Sequence, residues 1–192
     1  MLIIKKLMIL NNFRNKTVIV TGHTGFKGSW LSQWLVLLGA NVIGISSNIP
    51  SKPSHFELIN LKKKIINKKI DVVNLKALTK IFTDYKPDYV FHLAAQSYPQ
   101  TSFTEANLTL DTNIIGTYNL LNAINKSKYK PFVHVCSSSE IFGKVSKEKL
   151  PIDEDCSFHP ASPYAISKVG TDLIGRYFFE AFNMKVMVTR MF

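Results

Sequence analysis

The sequence predicts an α/β fold: a doubly wound domain built on a parallel sheet. Two observations carry that expectation. Short apolar runs alternate with longer helical patterns, and a glycine-spaced turn joins the first run to the first helix. The length agrees. A chain of 192 residues, 46% of them hydrophobic, fills one well-buried domain and falls short of two large ones. The expected division is an N-terminal extension, residues 1–15, and a single domain, residues 16–192.

Taken in order, strands are expected at Thr17–Thr21, Asn41–Ser46, Lys69–Val73, Tyr89–Ala94, Phe132–Ser137 and Lys185–Phe192. Most read as continuous apolar runs, as strands buried on both faces should. Helices are expected near Gly25–Leu38, Leu75–Tyr85, Thr109–Ser127 and Pro163–Phe182, the first with an amphipathic stretch from Ser29 to Leu38. Pro87 stops one helix and Pro131 precedes a strand. Prolines at 50 and 53 make Ser47–Ser54 a loop, and Gly143–Pro163 collects charges and prolines in another.

Composition narrows the class. No apolar run reaches the roughly 20 residues that span a bilayer, so no membrane partner is expected. Met1 to Leu10 is apolar but holds Lys5 and Lys6, and it lacks both a basic leader and a small-residue cleavage site. It reads as no signal peptide; a start at Met8 is the alternative. Cys136 and Cys156 are too few for a disulfide framework, so a cytoplasmic location is expected, with Cys136 as inert core. The net charge of +11 raises the question of a nucleic-acid partner. Only Arg14, Arg176 and Arg190 are arginines, and base readout favours arginine, so none is expected. The positive surface would still attract phosphorylated small substrates.

Gly22, Gly25 and Gly28 follow the apolar run Val18–Val20 and open a helix. The first permits a tight turn, the second lets backbone approach a pyrophosphate, and the third lets helix and strand pack closely. Free amides at the helix start would face the phosphates. This is the pattern of a dinucleotide site, with Thr24 and Phe26 inside the turn. The second strand ends in Ser46, Ser47 and Asn48, with no acid to hold ribose hydroxyls and no arginine to bind a 2′-phosphate. The choice between NAD and NADP stays open. Asp71 either bonds the adenine amino group, with Val72 beside it, or is a turn residue.

Tyr164 and Lys168 stand four residues apart and share a helix face. A nearby ammonium should lower the phenol pKa, letting the tyrosine take a proton from a sugar hydroxyl as hydride leaves the same carbon. Ser138, at the end of the fifth strand, is placed to bond the reacting oxygen, because ligands sit beyond the carboxyl ends of such strands. Glu140 suggests more. An elimination beside a ketone needs a base for the α proton, which a simple alcohol dehydrogenase does not.

These residues resemble the extended short-chain dehydrogenase/reductase family, and within it the nucleotide-sugar 4,6-dehydratases. Gly22-His-Thr-Gly-Phe-Lys-Gly-Ser-Trp-Leu31 and Pro53-Ser-His-Phe-Glu57 look like CDP-glucose 4,6-dehydratases. His92-Leu-Ala-Ala-Gln-Ser97, Ser138-Ser-Glu-Ile-Phe-Gly143 and Ser162-Pro-Tyr-Ala-Ile-Ser-Lys-Val169 look more like GDP-mannose 4,6-dehydratases. Where the CDP-glucose enzymes carry Asp-Lys-Cys, this chain has Ser139, Glu140 and Ile141. The resemblance implies a Rossmann fold, an NAD(P) cofactor and a nucleotide-sugar substrate. In that scheme Tyr164 deprotonates the 4-hydroxyl, Glu140 removes the C5 proton, and Glu140 with Ser139 assists loss of water from C6. Lys168 bonds the nicotinamide ribose. Ala94, Ala95 and Gln96 line the cofactor cleft and Asn113 supports it. The helices at 109–127 and 163–182 pair into a homodimer. Family members continue past Phe192, so a final strand and the substrate subdomain are expected to be missing. An epimerase or reductase of the same family, or a cofactor-binding fragment without catalysis, is the alternative.

Overall fold

The computed structural model describes residues 11–192. The elements run β1 (Thr17–Thr21), α1 (Phe26–Leu37), β2 (Asn41–Ser46), α2 (His55–Leu58), β3 (Ile66–Lys69), α3 (Leu75–Tyr85), β4 (Tyr89–His92), α4 (Pro99–Thr104), α5 (Ala106–Leu110), α6 (Gly116–Lys126), β5 (Phe132–Ser138), α7 (Pro163–Phe182) and β6 (Val186–Met191). The six strands form one parallel sheet in the order β3-β2-β1-β4-β5-β6. The order reverses between β1 and β4, and such a switch point opens a crevice at the carboxyl ends of the strands.

Both sheet faces are covered, as expected. On one face Ile19, Ile43, Ile45, Val133 and Val135 pack under Leu78 and Phe82 of α3, Leu120 and Ile124 of α6, and Phe178 of α7. On the other face Val18, Val20 and Val42 pack under Leu35 of α1. Phe13 joins this second cluster through Tyr89 and Phe91, so packing reaches back past Lys16, where the domain was expected to begin. Residues 1–10 of the expected extension, with the leader and the Met8 start, lie outside the described residues.

Three expectations need correction. α1 is not amphipathic in the ordinary sense. It turns Gly28, Ser29, Ser32 and Leu35 inward and leaves Phe26, Trp30, Trp34 and Leu37 exposed. Small residues face the sheet because helix and strand lie too close for large ones. A Cβ on Gly28 would land on the Gly22 carbonyl oxygen. β3 ends at Lys69, where it was expected to begin. The apolar run after it is instead bent at Asp71, whose carboxylate accepts from the Val73 amide at 3.1 Å and whose carbonyl accepts from Asn74. Asn74 then caps α3 by accepting from Ala77 at 3.0 Å. Lysines suit the edge strand that results. Finally, the helix expected from Thr109 begins at Ala106 and contains a π-turn, Asp111–Ile115, between α5 and α6.

Candidate active site

The carboxyl ends of β1, β2, β4 and β5 open on one cleft of about 600 Å³. It gathers most of the residues singled out above. Gly22, Thr24, Gly25, Phe26 and Gly28 form one wall, Asp71 and Val72 another, and Ala94, Ala95 and Gln96 a third, with Ser138, Tyr164 and Lys168 at the far end.

The glycine wall is built by close contact. Gly22 adopts φ +72°, and a Cβ there would sit 2.8 Å from the Ala94 amide nitrogen, so the turn is pressed against the end of β4. α1 begins at Phe26 with no side-chain cap, which leaves its first amides facing the cleft. Lys27 adds a cation to the same wall. An uncapped helix of this length beside a lysine suits a pyrophosphate.

The far end is ordered from behind. Ser162 caps α7 by accepting from Ala165 at 3.0 Å, and Ser102 of α4 accepts from the Tyr164 amide at 3.1 Å. Ser137 donates to the Lys168 carbonyl at 3.0 Å, which fastens α7 to β5. Lys168 Nζ donates to the Cys136 carbonyl at 2.9 Å and stands 5.8 Å from the centre of the Tyr164 ring. Burial takes its pKa down to about 8, with Lys27 adding to the fall and Cys136 opposing it. Tyr164 goes the other way from the expectation. Burial raises its pKa, the Ser138 hydrogen bond opposes, and Cys136 and Glu140 add to the rise. The ammonium that was to lower it is turned toward a backbone carbonyl.

Not every expected residue lines the cleft. Asn113, in the π-turn, is buried behind the third wall. Its Oδ1 accepts from the Gln96 amide at 2.8 Å, and its Nδ2 donates to the Gln96 carbonyl at 3.0 Å and to Ser167 Oγ at 2.8 Å. It therefore braces Gln96 from behind. A π-turn commonly marks such a position. Ser139 and Glu140 lie in a short 3-10 turn, Ser139–Phe142, just beyond the cleft lining. The Glu140 side chain is exposed, and its amide donates to Ser138 Oγ at 3.2 Å.

Of the lining residues that the sequence reading missed, Cys136 and Lys27 carry reactive or charged groups. Cys136 is half-buried at the cleft and not in the core, with Met191 beside it. The signal was present, since Cys136 precedes Ser138 by two and shares its strand face. Lys27 lies inside the glycine motif, where its charge toward the phosphates was legible.

Residues 19–192 match the family model described as GDP-mannose 4,6 dehydratase. The CDP-glucose 4,6-dehydratase of Salmonella typhimurium is 39% identical over 132 residues, 68% of this chain and 37% of that protein. Among solved structures, a UDP-glucose 4-epimerase from Thermotoga maritima, determined with UDP-glucose, superposes with a TM-score of 0.82 at 30% identity, covering 91% of this chain and 54% of that one. A dTDP-glucose 4,6-dehydratase from Streptomyces venezuelae, determined with NAD, does so with a TM-score of 0.80 at 26% identity, covering 91% and 55%. The chain thus spans about half the length of these solved relatives, and less of the Salmonella one.

Proposed function

The chain belongs to the GDP-mannose 4,6 dehydratase family, and from that premise we propose that it binds NAD(P) and takes part in converting a nucleotide-activated hexose to its 4-keto-6-deoxy form, a hydro-lyase reaction. The observation that carries the reading is the meeting of Tyr164, Ser138 and Lys168 at one end of a cleft whose other wall is an uncapped glycine turn.

The glycine turn, with the α1 amides and Lys27, would hold the pyrophosphate, Asp71 and Val72 the adenine end, and Ala94, Ala95 and Gln96 the middle of the dinucleotide. The bound cofactor would accept hydride from C4 of the sugar and return it at C6. In its phenolate form, which burial disfavours, Tyr164 Oη would take the proton of the 4-hydroxyl, and Ser138 Oγ would orient that oxygen. Lys168, held by the Cys136 carbonyl with its ammonium 5.8 Å from the centre of the Tyr164 ring, would supply positive charge and a donor for the cofactor ribose. Its lowered pKa lets it give up or hold a proton near neutrality. Glu140 stands at the rim, two residues from Ser138, as the base for the C5 proton and, with Ser139, as the acid for the departing water. A 4-epimerase would use the same tyrosine and lysine but needs no base at C5, so Glu140 favours the dehydratase.

A homodimer through the helices at 109–127 and 163–182 is part of this reading. Ile115, Tyr118, Ile166, Leu173 and Tyr177 are apolar and exposed on them, which supports a partner surface there. The two free thiols fit a reducing cytoplasm.

The test is incubation of the purified protein with GDP-mannose or CDP-glucose deuterated at C4 and either cofactor, followed by mass spectrometry of the sugar nucleotide. Loss of one water with deuterium carried from C4 to C6 is expected. Formation of a C4 epimer alone would remove the dehydratase reading.

A further inference from the structure

We infer that the ribose end of the cleft takes NAD+ and NADP+ with similar affinity. The inference rests on the dinucleotide reading above and adds which cofactor the site fails to reject. β2 ends at Ser46, and Ser46, Ser47 and Asn48 line the cleft. Neither a carboxylate nor a guanidinium stands at this bend.

The hydrogen bonds here are internally closed. Thr24 Oγ1 donates to the Asn48 carbonyl at 2.6 Å. Its single proton is thereby committed, so the 2.7 Å contact between Thr24 Oγ1 and Ser46 Oγ leaves Thr24 as acceptor. The Ser46 proton goes either there or to the same carbonyl at 3.1 Å. Both hydroxyl protons point inward, and lone pairs remain for a ligand. Those lone pairs can accept from ribose hydroxyls as a carboxylate would, without its charge. Ser47 Oγ donates to Asn48 Oδ1 at 3.4 Å, which leaves the exposed Asn48 amide NH2 as a donor that a phosphate oxygen can meet.

A 2′-hydroxyl therefore finds acceptors, and a 2′-phosphate finds a donor; among the cleft-lining residues the one carboxylate is Asp71, beyond the end of β3. The protein's net charge of +11 further offsets the added negative charge. What is missing is a guanidinium to reward the phosphate, so neither cofactor gains a decisive advantage.

Isothermal titration calorimetry of nucleotide-free protein with NAD+ and with NADP+ tests this. The two dissociation constants should agree within about tenfold, or about 1.4 kcal/mol. The isosteric change Asn48→Asp should weaken NADP+ by about tenfold or more and shift NAD+ by less than about threefold, since only the former brings an anion to the new carboxylate. A preference beyond tenfold in the unaltered protein overturns the inference, as does equal weakening of both ligands by Asn48→Asp. If a folded protein binds neither nucleotide, the dinucleotide reading falls first and this inference falls with it.

Discussion

His92 Nε2 donates to Thr117 Oγ1 across 3.0 Å, and the surrounding groups allow no other direction. The Thr117 proton goes to the Asn113 carbonyl at 2.6 Å, so Thr117 can only accept from the imidazole. His92 Nδ1 is then an acceptor and takes the Thr21 proton at 2.8 Å. Thr21 Oγ1 in turn accepts from the Leu93 and Ala94 amides at 3.2 and 3.1 Å. One buried chain of protons thus ties the end of β1 and the cleft wall at Ala94 to Asn113. From Asn113 it reaches Gln96 and, through Ser167, the Tyr164 carbonyl at 2.7 Å.

That chain makes a signed pH prediction. Burial, with the charges of Lys168 and His134 nearby, takes the His92 pKa down to about 3. The unfolded chain protonates the same imidazole near 6.5. Between those values the unfolded state binds a proton that the folded state refuses, so stability falls as pH falls through that window. His92 alone should remove on the order of 2 kcal/mol by pH 5. Nitrogen-15 NMR should find the Nε2–H tautomer unchanged from pH 8 to 5, with urea midpoints dropping over the same range. A His92 resonance titrating near its usual value would break the proton assignment.

The two later glycines of the turn should fail in different ways. A Cβ at Gly28 would land on the Gly22 carbonyl, which is backbone and cannot give way. One at Gly25 would sit 3.3 Å from that oxygen, tight but tolerable, and would project where the pyrophosphate should lie. Gly28→Ala should therefore lower stability by roughly 2–3 kcal/mol, as overpacking does. Gly25→Ala should keep most of its stability and lose dinucleotide binding by about a hundredfold or more. Thermal melts beside calorimetric titration separate the two. Equal behaviour of the pair would contradict this division of roles.

Lys168 should stabilise less than it strains. Its pKa is lowered from 10.5 to about 8 by burial above all, so the charged form is penalised in the folded state. Below pH 8 that penalty is present in full; it is relieved as pH rises toward 10.5, because the unfolded chain then holds the extra proton. Lys168→Met gives up one bond to the Cys136 carbonyl and removes the penalty. It should raise stability at pH 7 by about 1–2 kcal/mol, with the advantage shrinking above pH 8. Turnover should disappear at every pH. Loss of stability at pH 7 would show that the ammonium is net favourable where it sits.

Much of this was legible before folding, for reasons that differ by element. The bounds of β1, β2, α3 and α7 agree with the expected ones, because continuous apolar runs and flanking glycine or proline mark them. β3 was misplaced because Ile70 and Val72 are apolar for another purpose, lining the cleft beyond the strand. α2 and α4 span fewer than two turns each and carry no periodicity to read. The Tyr164–Lys168 spacing was visible in the sequence; the direction of the Tyr164 shift was not. It depends on how deeply the ring is buried and on which carbonyl draws the lysine away, and both are set by β5 packing against α7.

Asp172 should prove the costliest charge to remove outside the cleft. It is fully buried on α7 and accepts from Arg176 Nε and Arg190 Nε, each at 2.9 Å. The arginines are not equivalent. Arg176 is half-exposed, while Arg190 is 11% exposed, donates to the Glu154 carbonyl at 2.9 Å, and has its guanidinium 5.3 Å from the Phe142 ring centre and 5.0 Å from that of Phe158. Arg190 thus fastens β6, α7 and the loop before Ser162 in one place. Asp172→Asn leaves two guanidinium groups without their anion and should destabilise by about 3 kcal/mol or more. Arg176→Ala should cost about 1 kcal/mol or less, as exposed pairs do. Arg190→Lys keeps the charge but loses the planar fork, so it should behave much closer to Asp172→Asn than to Arg176→Ala. Urea denaturation of the three variants gives the ranking, and near-equal losses for Arg176→Ala and Arg190→Lys would show that charge alone, without the fork, holds this corner.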